Sequence, residues 1–278
     1  VDNLVIGTDW RATIFDYFVF AGSLNGSAYT ENAESEYELE EVPDILKDFV
    51  RVNVSTKLSL AGEANLSYRN KGFSVGLTYQ RLEPHYRSLG VPYLMADREA
   101  YTGNLRFSIF KRKLNFNLRA GLERNNLRNL DFFGRKRVIG SARVHAMPAK
   151  GIVMSLRYSN YQYESVDGLV RINDTLRYVS TNQHLGGSFS YNSQGDNFRY
   201  GAFIYANHMS VNDLSPVFSL GTDVTTFTSN LGANLNWKNY DFRLKPAIIF
   251  TRSDAREMLR SNYGVSLRII KDFNEEKI

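Results

Sequence analysis

Basic side chains recur in this sequence one at a time between apolar ones. Arg106, Arg119, Arg143, Arg157, Arg199, Arg243, Lys245 and Arg268 each fall on the polar side of an alternating segment. Rings of such cations in a narrow wet channel raise the local concentration of anions. The competing role is to pair with Glu63, Glu123 or Asp241, or with a plug or partner subunit, and hold a wall rigid. The four histidines, His85, His145, His184 and His208, have no metal-ligand spacing. His145 shares a face with Arg143 and reads as a solvated imidazole; His208, beside Asn207 and Ser210, is a weak start for a hydrolase at a rim. The absence of cysteine excludes disulfides, thiolate metal sites and cysteine nucleophiles. Gly186 and Gly187 sit inside a strand pattern, where glycine marks a bulge or a close neighbour rather than a phosphate cradle. The acidic run Glu31, Glu34, Glu36, Glu38, Glu40, Glu41 and Asp44 lacks the glycine and spacing of a calcium loop and reads as a solvated loop. The residues therefore point to no enzyme, cofactor or metal.

What positions the cations is a period of two. Leu60, Gly62, Ala64, Leu66 and Tyr68 oppose Glu63, Asn65, Ser67 and Arg69; Leu114, Phe116, Leu118 and Leu122 oppose Asn115, Asn117, Arg119 and Glu123. The pattern repeats to Tyr263, Val265, Leu267 and Ile269, which oppose Gly264, Ser266 and Arg268. It predicts about thirteen strands, with boundaries loose by a few residues: 4–13, 17–30, 51–69, 72–82, 99–110, 113–124, 136–147, 151–163, 177–192, 197–210, 223–237, 240–252 and 260–271. The one helical candidate is Val42–Phe49. Short turns near Asp16, Asn70, Lys111, Ala149, Gly195 and Asn239 alternate with longer polar connections at 31–48, 83–97, 125–134, 165–174, 212–222 and 253–257. That alternation fits an up-and-down meander better than a Greek key.

Such a sheet must bury its apolar face. A soluble barrel of this many tall strands would leave an interior too wide to fill. A membrane barrel turns the apolar face to lipid and the polar face to a wet lumen. Alternating runs of about 9–13 residues span hydrocarbon when tilted, and a dry core would not accept the full charges of the polar face. Phe15, Tyr17, Phe18, Tyr68, Phe73, Phe110, Trp237 and Tyr240 gather beside the short turns, where an interfacial girdle sits. Mean hydropathy is −0.35, with no apolar stretch long enough for a membrane helix. The net charge of +5 is dispersed along the chain rather than clustered, which argues against nucleic acid as a partner. The expectation is an all-β, antiparallel up-and-down transmembrane β-barrel of about 12–14 strands, with short periplasmic turns and longer extracellular loops, forming one domain over residues 1–278.

The segment Tyr79-Gln80-Arg81-Leu82-Glu83-Pro84-His85-Tyr86-Arg87-Ser88-Leu89-Gly90, the hairpin Phe107–Leu114 and the run Gly121–Leu127 resemble a class of large, poorly characterised outer-membrane β-barrels of Gram-negative bacteria. The likeness is fullest over residues 60–180 and implies fold and location, not a substrate. Asn262, Gly264, Leu267 and Ile269 resemble the barrel-assembly signal of last strands. The chain departs from that signal by running on through Asn274–Ile278 instead of stopping at an aromatic. Single-chain bacterial barrels usually have an even strand count. An odd count means either that the strand count is off by one or that a closing strand lies outside these residues; the second, a piece of a larger barrel protein, is the expectation.

The resemblance implies the cell outer membrane as location, with lipid bilayer, lipopolysaccharide and the barrel-assembly machinery as partners. The expected function is a passive pore, or the membrane component of an uptake or secretion assembly, with a basic lumen. The alternative is a closed structural or binding barrel that presents its loops to partners.

Overall fold

The computed structural model describes residues 1–35, 49–91, 93–193, 195–217, 223–256 and 258–271. Thirteen antiparallel strands follow one another in a single sheet in chain order. They are β1 (Asp2–Ile14), β2 (Phe18–Thr30), β3 (Thr56–Asn70), β4 (Phe73–Leu82), β5 (Arg98–Ile109), β6 (Leu114–Asn125), β7 (Phe133–Ala146), β8 (Ile152–Asp167), β9 (Val179–Asn192), β10 (Phe198–Asp213), β11 (Val224–Trp237), β12 (Phe242–Ala255) and β13 (Met258–Lys271). The helical content of the described residues is one 3₁₀ turn, Lys238–Tyr240. The all-β meander expected from the alternation is therefore present, and it is compatible with a β-barrel. The helical candidate at 42–49 falls, except for Phe49, outside the described residues.

The chain divides into two compact units, Val1–Asn104 with Ala120–Val138 and Glu164–Asn173, and Leu105–Arg119 with Ile139–Tyr163 and Asp174–Ile278. Strands β5 to β8 contribute residues to both.

In the first unit the ladders fix which side chains share a face. Leu24 stands opposite Gly62, Phe20 opposite Leu66, and Leu66 opposite Leu77; on the other face Ser23 stands opposite Glu63 and Glu63 opposite Gln80. Register thus keeps apolar with apolar and polar with polar across the strands, as a period of two requires. Gly22 has no side chain because Trp10 lies over it: a Cβ there would come within 2.5 Å of the indole. In the second unit, Tyr200 opposes Leu235, Leu235 opposes Leu244 and Leu244 opposes Ile269, while Arg199 opposes Asn236 and Asn236 opposes Arg243.

Short turns close by left-handed residues, Phe15 and Asp16 between β1 and β2, and Phe110, Lys111 and Arg112 between β5 and β6. These conformations match the twist of a tight hairpin. Aromatic rings collect at this end in both units. Tyr68 lies 4.9 Å from Phe18 and 6.1 Å from Phe73, and Trp237 lies 5.0 Å from Phe198 and 5.5 Å from Phe242.

The described residues enclose no large apolar core in either unit. The buried hydrophobics among the described residues are Ala28, Tyr29, Val50, Ala61, Leu82, Tyr86 and Val179. Leucines and valines in mid-strand are instead open: Leu24 is 49% exposed, Leu77 61% and Val265 85%.

Candidate functional site

The polar face of β9 to β12 forms a cationic concavity. Two rows of side chains build it. One row runs Arg199, Asn236, Arg243 across β10, β11 and β12. In the next, Asn192 on β9 faces Gly201 on β10, which faces Asn234 on β11; Lys245 on β12 faces Arg268 on β13. Gly201 keeps the floor open, since a Cβ there would come within 2.5 Å of the Asn192 amide oxygen. At Gly232, one row further, the ring of Phe203 occupies the space a side chain would take.

The resulting hollow is about 900 Å³ and is lined by Arg199, Arg243, Lys245, Asn192, Asn234, Asn236 and Ser193, with Gly151, Val153, Tyr200, Gly201 and Leu235. Among the described residues no carboxylate lines it. It lies at the short-turn end of these strands, because Arg199 and Arg243 are each the second residue of their strand. Arg199 Nε donates to the Gly195 carbonyl (3.4 Å), which steadies the guanidinium at the mouth.

Of the eight cations the sequence singles out, the structure brings Arg199, Arg243 and Lys245 together, with Arg268 beside Lys245 in the ladder. Arg106, Arg119, Arg143 and Arg157 do not line that hollow and are exposed. Arg106 donates through Nε to the Asn117 side chain (3.2 Å), on the same face as the Ser108–Asn115 contact (2.7 Å). Of the acids expected to neutralise them, Glu123 is engaged by Arg137 (2.7 Å) and Glu63 accepts from Gln80 (3.3 Å). On β13, Asn262 and Gly264 face the same way as Thr251 and Ile249, and Leu267 and Ile269 stand exposed opposite Pro246 and Leu244.

A second arrangement carries no sequence signal. In the connection between β4 and β5, residues 84–89 fold onto the polar face of β1, β2 and β3. Asn3 Nδ2 and Ser27 Oγ both donate to the Arg87 carbonyl (3.1 and 2.6 Å), and Ser59 Oγ donates to the Pro84 carbonyl (2.8 Å). The Leu89 amide donates to Asn3 Oδ1 (3.1 Å). The Arg87 guanidinium lies 4.8 Å from the Tyr29 ring centre and donates to a neighbouring phenol, that of Tyr29 itself, at 3.0 Å. Under the loop, Tyr86 is buried with Ala61 and Leu82, and Leu94 and Ala96 complete the cluster. Burial pushes the Tyr86 phenol pKa above its ordinary value. The Asp97 carboxylate accepts from the Asn126 and Leu127 amides (3.0 and 2.9 Å), tying this loop to the next one. Small polar residues such as Ser27 and Ser59 announce a polar face, but nothing in their types says that a loop will lie on it.

A third cluster is also missed by sequence. Glu99 is 3% exposed and accepts from Tyr79 (2.8 Å) and Arg124 (2.6 Å), with Arg81 at 3.6 Å. The clue available beforehand is charge of both signs at the same end of several neighbouring apolar faces.

Among the described residues no group of histidines and carboxylates has a metal-binding arrangement. His208 stands opposite Phe227 and Leu185, on the face away from Asn207. Comparison of the chain with family models, with curated proteins and with solved structures gave no match.

Proposed function

We propose that this chain is the wall of an outer-membrane β-barrel that passes small solutes, with a polar, basic lumen that favours anions. The observation that carries the reading is the exposed apolar face. Strand after strand presents Leu, Val, Ile and Phe on one side, in register, and among the described residues no layer of protein lies over it in either unit. A water-soluble chain of this length encloses most of its apolar side chains, whereas hydrocarbon makes such a face stable. Rings clustered at the short-turn end suit the membrane interface. On this reading the partners are lipid, lipopolysaccharide and the barrel-assembly machinery, and Asn262, Gly264, Leu267 and Ile269 serve the last of these.

Planar-bilayer recording tests the function. A stable open current is expected, with a reversal potential in a salt gradient set by anions. Changing Arg106, Arg119 and Arg143 together to Glu is expected to invert the selectivity; an unchanged reversal potential contradicts a basic conduction path. One observation favours the second reading, a barrel closed to flow that acts as a binding or structural module: residues 84–89 lie on the polar face and are held there by four hydrogen bonds from or to Asn3, Ser27 and Ser59. If that loop seals the lumen, the intact protein stays silent in the bilayer and a variant lacking residues 86–94 conducts.

A further inference from the structure

We infer that the hollow between β9 and β12 is a binding station for a hydroxylated anion, a solute that carries a phosphate or carboxylate beside several hydroxyls. The station rests on the reading of the polar face as a wet lumen, and it adds the solute class. Its chemistry comes in two parts. Among the described residues, Arg199, Arg243 and Lys245 surround one open volume with no carboxylate in its lining, and that excess of cations attracts anions. Guanidinium groups also bind oxyanions with directed, paired hydrogen bonds.

The other part is amide. Asn192, Asn234 and Asn236 line the same volume, each offering a carbonyl acceptor and an NH₂ donor. An inorganic anion has few or no protons to give those acceptors. A sugar hydroxyl donates and accepts at once, which is what a side-chain amide matches. The register orders these groups: Asn236 stands between Arg199 and Arg243, and Asn234 is two residues along the same strand face. A ligand whose anionic group meets the first row therefore extends its hydroxyls toward Asn234 and Asn192. The volume of about 900 Å³ is at the upper end of small-molecule sites. Its open side permits release, as a passage requires of its binding stations.

The test is titration calorimetry of the whole protein in detergent at low salt, with glucose 6-phosphate, inorganic phosphate and glucose as separate probes. Glucose 6-phosphate is expected to bind more tightly than phosphate, and glucose not measurably. Arg199→Gln is expected to weaken glucose 6-phosphate on the order of ten-fold or more, the loss of a charge-assisted hydrogen bond. Asn234→Ala is expected to weaken glucose 6-phosphate and leave phosphate unchanged. Equal affinity for glucose 6-phosphate and phosphate overturns the inference, as does no heat from either probe, or Arg199→Gln without effect in a variant that keeps the native strand content by circular dichroism. Calorimetry does not depend on conduction. Binding without any bilayer current would leave the station standing and remove the pore; current without binding would do the reverse.

Discussion

Leu118 and Asn117 are neighbours in sequence and face opposite ways on β6. Asn117 accepts a hydrogen bond from Arg106, and Leu118 is 38% exposed on the apolar side. If hydrocarbon covers that side, Leu118→Arg places a charge in it and costs about 2–4 kcal/mol near the midplane. Asn117→Arg loses one hydrogen bond on a wet face, about 1 kcal/mol. Urea titration of the protein refolded in lipid vesicles measures both, and equal losses would contradict the face assignment. The same scale shows what single residues can tell. The alternation identified Arg199, Arg243 and Lys245 as sharing one face, because a side-chain period of two is local. That they enclose one hollow was not legible, since it depends on Gly201 leaving the floor open and on Phe203 turning over Gly232.

At the scale of elements, all thirteen strands stood in the sequence within a few residues, and the departures have local causes. β3 begins at Thr56 rather than near 51 because Asn53 turns the chain first: its side chain accepts from the Ser55 amide (2.9 Å), and its amide donates to Thr56 (2.9 Å). The expected long connection at 253–257 is instead strand through Ala255, where β12 ends, and β13 starts at Met258. Polar side chains there suggested a loop, but backbone pairing needs no apolar side chain. The fold of residues 83–97 was the least legible element. Its stability comes from donors far away in sequence, and loop composition does not encode them.

Two predictions belong to that loop. Ser59→Ala removes the donor to the Pro84 carbonyl at a buried position and is expected to cost about 1–3 kcal/mol. Faster tryptic cleavage after Arg87 would report it, and unchanged cleavage would contradict the clamp. The raised Tyr86 pKa gives the second. A phenol whose folded pKa lies above its unfolded value stabilises the docked loop below about pH 10. That contribution is lost as pH rises through the folded pKa. Cleavage after Arg87 is therefore expected to quicken in alkali above the ordinary tyrosine range, and Tyr86→Phe is expected to abolish the dependence.

For the whole molecule, the composition already excluded several classes. No described helix is long and apolar enough to cross a membrane, which leaves strands to do so if anything does. The dispersed cations, the exposed apolar face and the aromatic clusters beside the short turns of each unit are separate observations, and the proposed inside-out arrangement would account for all three. Because the sequence contains no cysteine, it accepts single-cysteine probes without background labelling. The decisive measurement is fluorescence quenching of such a probe, placed in turn at Leu66, Ser67, Val75, Gly76, Val265 and Ser266, in bilayers that carry a nitroxide in the acyl chains. Leu66, Val75 and Val265 are expected to be quenched by the lipid nitroxide, and Ser67, Gly76 and Ser266 by a water-soluble quencher. Quenching without that alternation, or a protein that remains a compact monomer in buffer without detergent or lipid, would contradict it.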